Sequence, residues 1–182
     1  MKPFSEKLKN MLGDAAFQTA ELPVEKIRFG EDIVAACASN ACGRYGKFWT
    51  CPPGVGTLEE LKAKYSKYRT AFVFTTKHEL EDSFDFEGMM RGGKEHQCAE
   101  SLIFDEVKAA GGALLGAGGG GCQNCAECTY PDAPCRFPER ARPSVEACGI
   151  SVVELARECG VNYHNGPNTV TYFSVVFFSE GE

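Results

Sequence analysis

The stretch Asn168-Thr169-Val170-Thr171-Tyr172-Phe173-Ser174-Val175-Val176-Phe177-Phe178 is almost entirely β-branched and aromatic, and it predicts a strand. A second run, Thr70-Ala71-Phe72-Val73-Phe74-Thr75-Thr76, has the same character without clean alternation, which predicts a strand covered on both faces. Ala113-Leu114-Leu115 reads as a short third strand. Helical patterns separate these runs. Ser5 can cap a first helix carrying Leu8, Met11, Leu12 and Ala15 at three- and four-residue spacing and ending near Glu21-Leu22-Pro23. Thr57 followed by Glu60 is a capping box that opens a helix through about Tyr68. The acidic residues 79 to 87 read as a solvated face that leads into a long helix, roughly 86 to 110. Ser144, after Pro143, can cap a helix over 144 to 159 with Val145, Ile150, Val153 and Leu155 on its buried side. Strands alternating with helices predict an α/β fold: a single compact domain over residues 1 to 182, its small sheet flanked by helices, with two cysteine-rich metal-binding loops at one end.

Those loops carry the chemistry. Cys122, Cys125, Cys128 and Cys135 stand at C-x2-C-x2-C-x6-C. Two residues between thiols let a tight turn aim both sulfurs at one point, and a third thiol at the same spacing wraps the chain around a corner of a cubane. Iron–sulfur clusters are commonly held in this way, whereas zinc sites more often use two separated pairs, so the spacing favours the cluster and leaves zinc as the alternative. A second group, Cys37, Cys42 and Cys51, lies upstream in a stretch rich in Gly and Pro that predicts an irregular loop over 37 to 56. Proline after a thiol, as at Cys51-Pro52, also follows the last cysteine of bacterial ferredoxin runs. Cys98, Cys148 and Cys159 are isolated in helix-like stretches and read as small buried side chains.

The bulk composition narrows the class. The chain has 182 residues, 43% of them hydrophobic, enough for a core that needs no disulfides despite ten cysteines. The N-terminal residues lack the apolar region of a signal peptide, so a reducing cytoplasm is expected. No apolar run is long enough to span a membrane, and a net charge of −6 argues against a general nucleic-acid binder. The expected partner is a redox protein or a small-molecule substrate.

Other motifs weaken on inspection. Gly116-Ala117-Gly118-Gly119-Gly120-Gly121 satisfies G-x-G-x-x-G after a strand, but thiols and prolines follow where a dinucleotide fold needs an apolar helix. The glycines suit close backbone approach to a cluster, with N–H groups donated to its sulfurs. His96 and Cys98 are two apart in a helix and point away from each other, and His78 and His164 stand alone. Tyr45 and Trp49 can pack over a cluster, while Arg44 and Lys47, extended by Arg136, Arg140 and Arg142, can form a cationic rim.

Cys42-Gly43-Arg44-Tyr45-Gly46-Lys47-Phe48-Trp49-Thr50-Cys51-Pro52-Pro53 resembles the CG-x-YG-x-x-W-x-CPP signature of an uncharacterised, predicted metal-binding family of prokaryotic proteins. Cys122-x2-Cys125-x2-Cys128-x6-Cys135-Arg136-x-Pro138 and Pro143-Ser144-x-Glu146-Ala147-x-Gly149-Ile150 extend that resemblance over nearly the whole chain. It implies cysteine-bound metal at Cys37, Cys42, Cys51, Cys122, Cys125, Cys128 and Cys135, and no established reaction.

Seven thiols divide as four plus three. The chain is expected to hold one or two 4Fe–4S clusters and to pass electrons, an eighth ligand coming from Cys148, Cys98 or a non-cysteine group. In an alternative, three thiols hold a cluster with an open iron that acts as a Lewis acid in an enzyme. In another, the protein is a structural zinc binder. No catalytic residue is assigned.

Overall fold

The two strands that the sequence marks most strongly lie side by side in the middle of the sheet. The computed structural model describes residues 3–116 and 122–179. β2 (Thr70–Glu79) and β4 (Thr169–Phe178) pair antiparallel along their full length, from Thr70 opposite Phe178 to Glu79 opposite Thr169. β1 (Gln18–Pro23) adds to the outer side of β2, and β3 (Ala113–Leu115) to the outer side of β4, giving the order β1-β2-β4-β3. Every pairing between these four strands is antiparallel.

Helices cover both faces, so the fold is mixed α/β as the alternation of elements predicts. α1 (Phe4–Leu12) and α4 (Phe86–Ala109) pack on one face, where Leu8, Leu12, Ala99, Ile103 and Val107 meet Phe72, Phe74, Val176 and Phe178. α3 (Leu58–Tyr65), α5 (Val152–Cys159) and the turn through Val145–Ile150 pack on the other, where Leu61, Tyr65, Leu155 and Ile150 meet Val73, Val175 and Phe177. Alternate residues of β2 and β4 thus enter different cores, which is why neither strand shows a polar face. Each large apolar side chain so buried contributes about 1.5–3 kcal/mol.

The helix capped by Thr57 and Glu60 has its capping box, with Thr57 Oγ1 accepting from Glu60 N at 3.2 Å and Glu60 Oε2 accepting from Thr57 N at 2.8 Å. Other expectations need correction. The first helix stops at Leu12, because Gly13 takes a φ of 50°. Residues 18–23 are an edge strand, where Pro23 is tolerated. Residues 144–159 are not one helix. Ser144 caps only a short turn, Glu146–Cys148, and Gly149 then adopts a φ of 76° against Leu58, where a Cβ would lie 2.4 Å from Leu58 Cδ1. Ser151 caps α5, and Val153 faces solvent at 54% exposure. Cys37 also leaves its predicted loop, lying in the last turn of α2 (Glu31–Ala38).

Candidate metal centre

Cys122, Cys125, Cys128 and Cys135 line one small cavity, each half-buried. Its remaining wall comes partly from the same loop, through Asn124, Thr129 and Arg136, and partly from the upstream loop, through Phe48, Trp49 and Thr50. The described part of the downstream loop, residues 122 to 142, lacks helix and strand, and side chains help turns such as Ala133 N to Thr129 O hold its backbone. Asn124 Nδ2 donates to Arg140 O at 2.9 Å, Thr129 Oγ1 to Pro134 O at 2.9 Å, and Arg136 Nη1 to Glu127 O at 2.8 Å. Burial pushes the Cys122 thiol up, Asn124 opposes it, and Cys135, Cys125 and Cys128 push it up again. Those three are therefore its electrostatic neighbours.

Trp49 joins the two loops. Its indole Nε1 donates to Ala133 O at 3.0 Å, and its ring meets Tyr130 edge-on at 4.9 Å and 87°. Gly54 permits this closeness, since a Cβ there would lie 2.8 Å from the Tyr130 ring. The expectation that Trp49 covers the cysteine region fits this placement, whereas Tyr45 has its backbone N–H anchored on Asn40 Oδ1 at 3.0 Å.

The upstream thiols form a second neighbourhood. Cys37 and Cys51 are half-buried and Cys42 is exposed. Burial chiefly pushes the Cys37 thiol up, with the Glu146 carboxylate and then Cys42 adding to it. Cys51 is pushed up by burial and by Cys42, drawn back by Thr50 and Arg44, and raised slightly by Cys37. Arg44 also lies over the Phe48 ring at 5.1 Å, as the cationic-rim reading allows.

Two buried side-chain oxygens among the described residues have no hydrogen-bond partner: Thr50 Oγ1 and Glu146 Oε2. Thr50 stands close enough to favour the Cys51 thiolate, yet without hydrogen-bond geometry. Glu146 neighbours Cys37, whose Sγ lies 3.8 Å from the Glu146 carbonyl oxygen, and burial pushes its carboxyl up. Each orphan oxygen thus adjoins a cysteine group. Buried polar atoms left unpaired in this way commonly face an ion or water.

The other cysteines stand apart. Cys148 is buried, its thiol 3.8 Å from Tyr65 Oη and pushed up to about 12, chiefly by burial. Cys98, expected to be buried, is instead exposed on α4, and Cys159 is only half-buried, its Sγ 3.7 Å from Ala156 O. His96 points into the core and Cys98 outward, as their spacing predicts.

The donor set therefore fits thiolate ligation in kind and in grouping. It is not drawn in to coordination distance: among the described residues, no three His, Cys, Asp or Glu side chains stand close enough to hold a metal ion. The glycine N–H groups expected to face a cluster fall on residues 117–121, outside the described residues.

A second polar constellation lies outside the cysteine motifs. His96 and Glu100, both buried, join Thr76, Ser174 and Arg142 in a polar seam beneath α4. Its signal was present, since His96 and Glu100 occupy the same helical row as Ile103 and Val107, where apolar residues belong. Glu146 lies outside the cysteine motifs as well.

A mixed α/β domain that gathers cysteines from two loops and the last turn of α2 into two groups defines a cysteine-rich domain with donors of the kind that hold metals. The chain belongs to the family described as predicted metal-binding protein (DUF2284), which matches residues 20–178 and so includes both cysteine groups and all but the start of the sheet. No curated protein and no solved structure matches it significantly. No helix of the described residues is long and apolar enough to cross a membrane.

Proposed function

We propose that the chain is an iron–sulfur protein with two 4Fe–4S sites that passes electrons to a partner. The observation that carries this reading is the single cavity lined by Cys122, Cys125, Cys128 and Cys135, with the upstream thiols held as a separate group. Four thiols account for all the protein ligands of one cubane. Cys37, Cys42 and Cys51 would hold the second, with Glu146 as the non-cysteine donor. When bound, such a cluster supplies a one-electron carrier.

The protein's own groups set its working conditions. Phe48 and Trp49, the latter backed by Tyr130, wall the cavity of the downstream thiols and would limit water there, and Arg44 favours the thiolate of Cys51. The cationic rim of Arg44 and Lys47 on an acidic chain suits an acidic partner.

An open-iron enzyme is the second reading, favoured by the upstream group alone, which offers three thiols with Cys42 exposed. Iron, zinc and acid-labile sulfide per chain, measured on anaerobically purified protein, separate the readings. About eight iron and eight sulfide with an EPR signal after dithionite supports two clusters, and spectral shifts on adding small substrates would favour open iron. About one or two zinc without sulfide would leave a structural metal protein.

A further inference from the structure

A continuous line of hydrogen bonds runs beneath α4 from the surface to the neck of the downstream cysteine loop. It starts at Glu95, 59% exposed, whose Oε2 lies 3.0 Å from His78 Nδ1. His78 Nε2 is 2.8 Å from Thr76 Oγ1, and Thr76 Oγ1 is 2.8 Å from His96 Nδ1. His96 Nε2 is 2.7 Å from Ser174 Oγ, which donates to Glu100 Oε1 at 2.7 Å. Glu100 Oε2 then meets Arg142 Nε at 3.4 Å. His96 and Glu100 are 0% and 2% exposed.

The direction of the line follows from its ends. Ser174 Oγ donates to Glu100 Oε1, so it must accept from His96 Nε2–H. His96, neutral because burial and the charges of His78 and Arg142 oppose its protonation, then accepts at Nδ1 from Thr76. Thr76 in turn accepts from His78 Nε2–H. Glu95 Oε2 lies 3.0 Å from His78 Nδ1, so an imidazolium at His78 would donate from both nitrogens, to Glu95 and to Thr76. The Tyr172 ring lies 5.9 Å from His78 and 5.8 Å from His96, and its hydroxyl is committed to Met89 O at 2.6 Å. From His78 Nε2 onward, each donor in the line therefore points toward Glu100.

The line ends where the cysteine loop begins and returns. A Cβ on Gly116 would lie 2.7 Å from Glu100 Oε1, and Gly116 N donates to Pro143 O at 3.0 Å, beside Arg142. A buried carboxylate and histidine are expensive unless they serve a purpose. We propose that this line is a proton relay from His78 to Glu100, which compensates negative charge arriving on the downstream cysteine loop. Four protons each shift by one bond: His78 Nε2 to Thr76, Thr76 to His96 Nδ1, His96 Nε2 to Ser174, and Ser174 to Glu100. The imidazolium becomes neutral and the carboxylate becomes an acid, with no net change in charge. A proton from bulk solvent then restores the imidazolium, so one positive charge is gained in all. The compensating role rests on the redox reading above, while the relay itself does not.

The two are separable by experiment. In metal-free, 15N-histidine-labelled full chain, His96 should be the Nε2–H tautomer, and its ring proton should exchange with water through the relay. Thr76→Val should slow that exchange about tenfold or more, and Thr76→Ser should restore it. Unchanged exchange in Thr76→Val, or an Nδ1–H tautomer, overturns the relay. In anaerobically reconstituted protein, dithionite reduction should raise an infrared carboxylic-acid band that Glu100→Gln abolishes and that develops more slowly in Ser174→Ala. A loaded cluster whose reduction leaves the carboxyl region unchanged overturns the compensating role. Protein that takes up no iron or sulfide overturns that role together with the redox reading, and the exchange result still decides the relay.

Discussion

The polar seam beneath α4 and the two cysteine loops bury comparable polar chemistry in opposite ways. In the seam, His96, Thr76 and Ser174 all find partners within 2.7–2.8 Å, and two sheet strands and a long helix hold them there. In the loops, Thr50 Oγ1 and Glu146 Oε2 are buried without a partner, and thiols are gathered with no regular structure to fix most of them. Partnered polar groups rigidify a core, and unpartnered ones signal a missing interaction. The seam is complete as folded protein, whereas the loops are shaped for something to be added.

The largest test of that contrast is Cys125→Ser. It should remove the downstream metal entirely and several kcal/mol of metal-linked stability, with faster proteolysis around residues 122–140, because ligation supplies the order this segment lacks. Metal content and melting before and after chelation would show it, and Cys159→Ser should match the parent in both. Retention of full metal by Cys125→Ser, with loss in Cys159→Ser, would reverse the ligand assignment.

Ser174→Ala makes the converse cut. It deprives His96 Nε2 and Glu100 Oε1 of their shared hydroxyl, at a cost of about 2–4 kcal/mol in urea melts, equally with and without metal. A cost confined to the metal-loaded form would mean that the seam too depends on the loops.

Acid should find the seam first. His96 is held at about 3, burial being the main cause, against about 6.5 for a histidine in an unfolded chain. Between those values the unfolded chain binds the extra proton, so stability falls as pH drops, by up to about 1.4 kcal/mol per pH unit. From about pH 6.5 to about 5, above the range of ordinary carboxylates, His96→Gln should flatten that slope. Equal slopes in the two proteins would place the acid sensitivity elsewhere.

The same contrast explains what could be read from the sequence. Thr70–Thr76, Ala113–Leu115 and Asn168–Phe178 announced their strands because burial on two faces demands uninterrupted β-branched and aromatic residues. Residues 144–159 were misread because Gly149 breaks a pattern that is otherwise helical, for the sake of a close approach to Leu58 that only the fold reveals. The cysteine groups were legible from spacing, since each lies within a short segment. Neither Glu146 beside Cys37 nor Glu100 beside Gly116 was, because the first pair is 109 residues apart and the second is joined only where α4 packs over the end of β3.

Trp49→Phe probes the joint between the loops. Loss of the indole N–H to Ala133 O should weaken loop docking by about 1 kcal/mol, seen as faster amide exchange over residues 129–135 with β2 and β4 unchanged.

The smallest effect should also change sign, and it concerns Glu146. Burial opposes ionisation of this carboxyl, and one of its oxygens has no partner, so in metal-free protein it is a burden on the fold. A raised carboxyl pKa lowers stability as pH climbs through the ordinary carboxylate range. Glu146→Gln removes the charge and should leave metal-free stability at neutral pH unchanged or higher by up to about 1 kcal/mol. If the carboxylate completes the upstream group, the same change should lower upstream iron content and make the loaded protein less stable than the parent. Opposite signs in the two states would tie the orphan oxygen to metal. The same sign in both would make Glu146 an ordinary buried acid and leave Cys37, Cys42 and Cys51 to find their fourth ligand elsewhere.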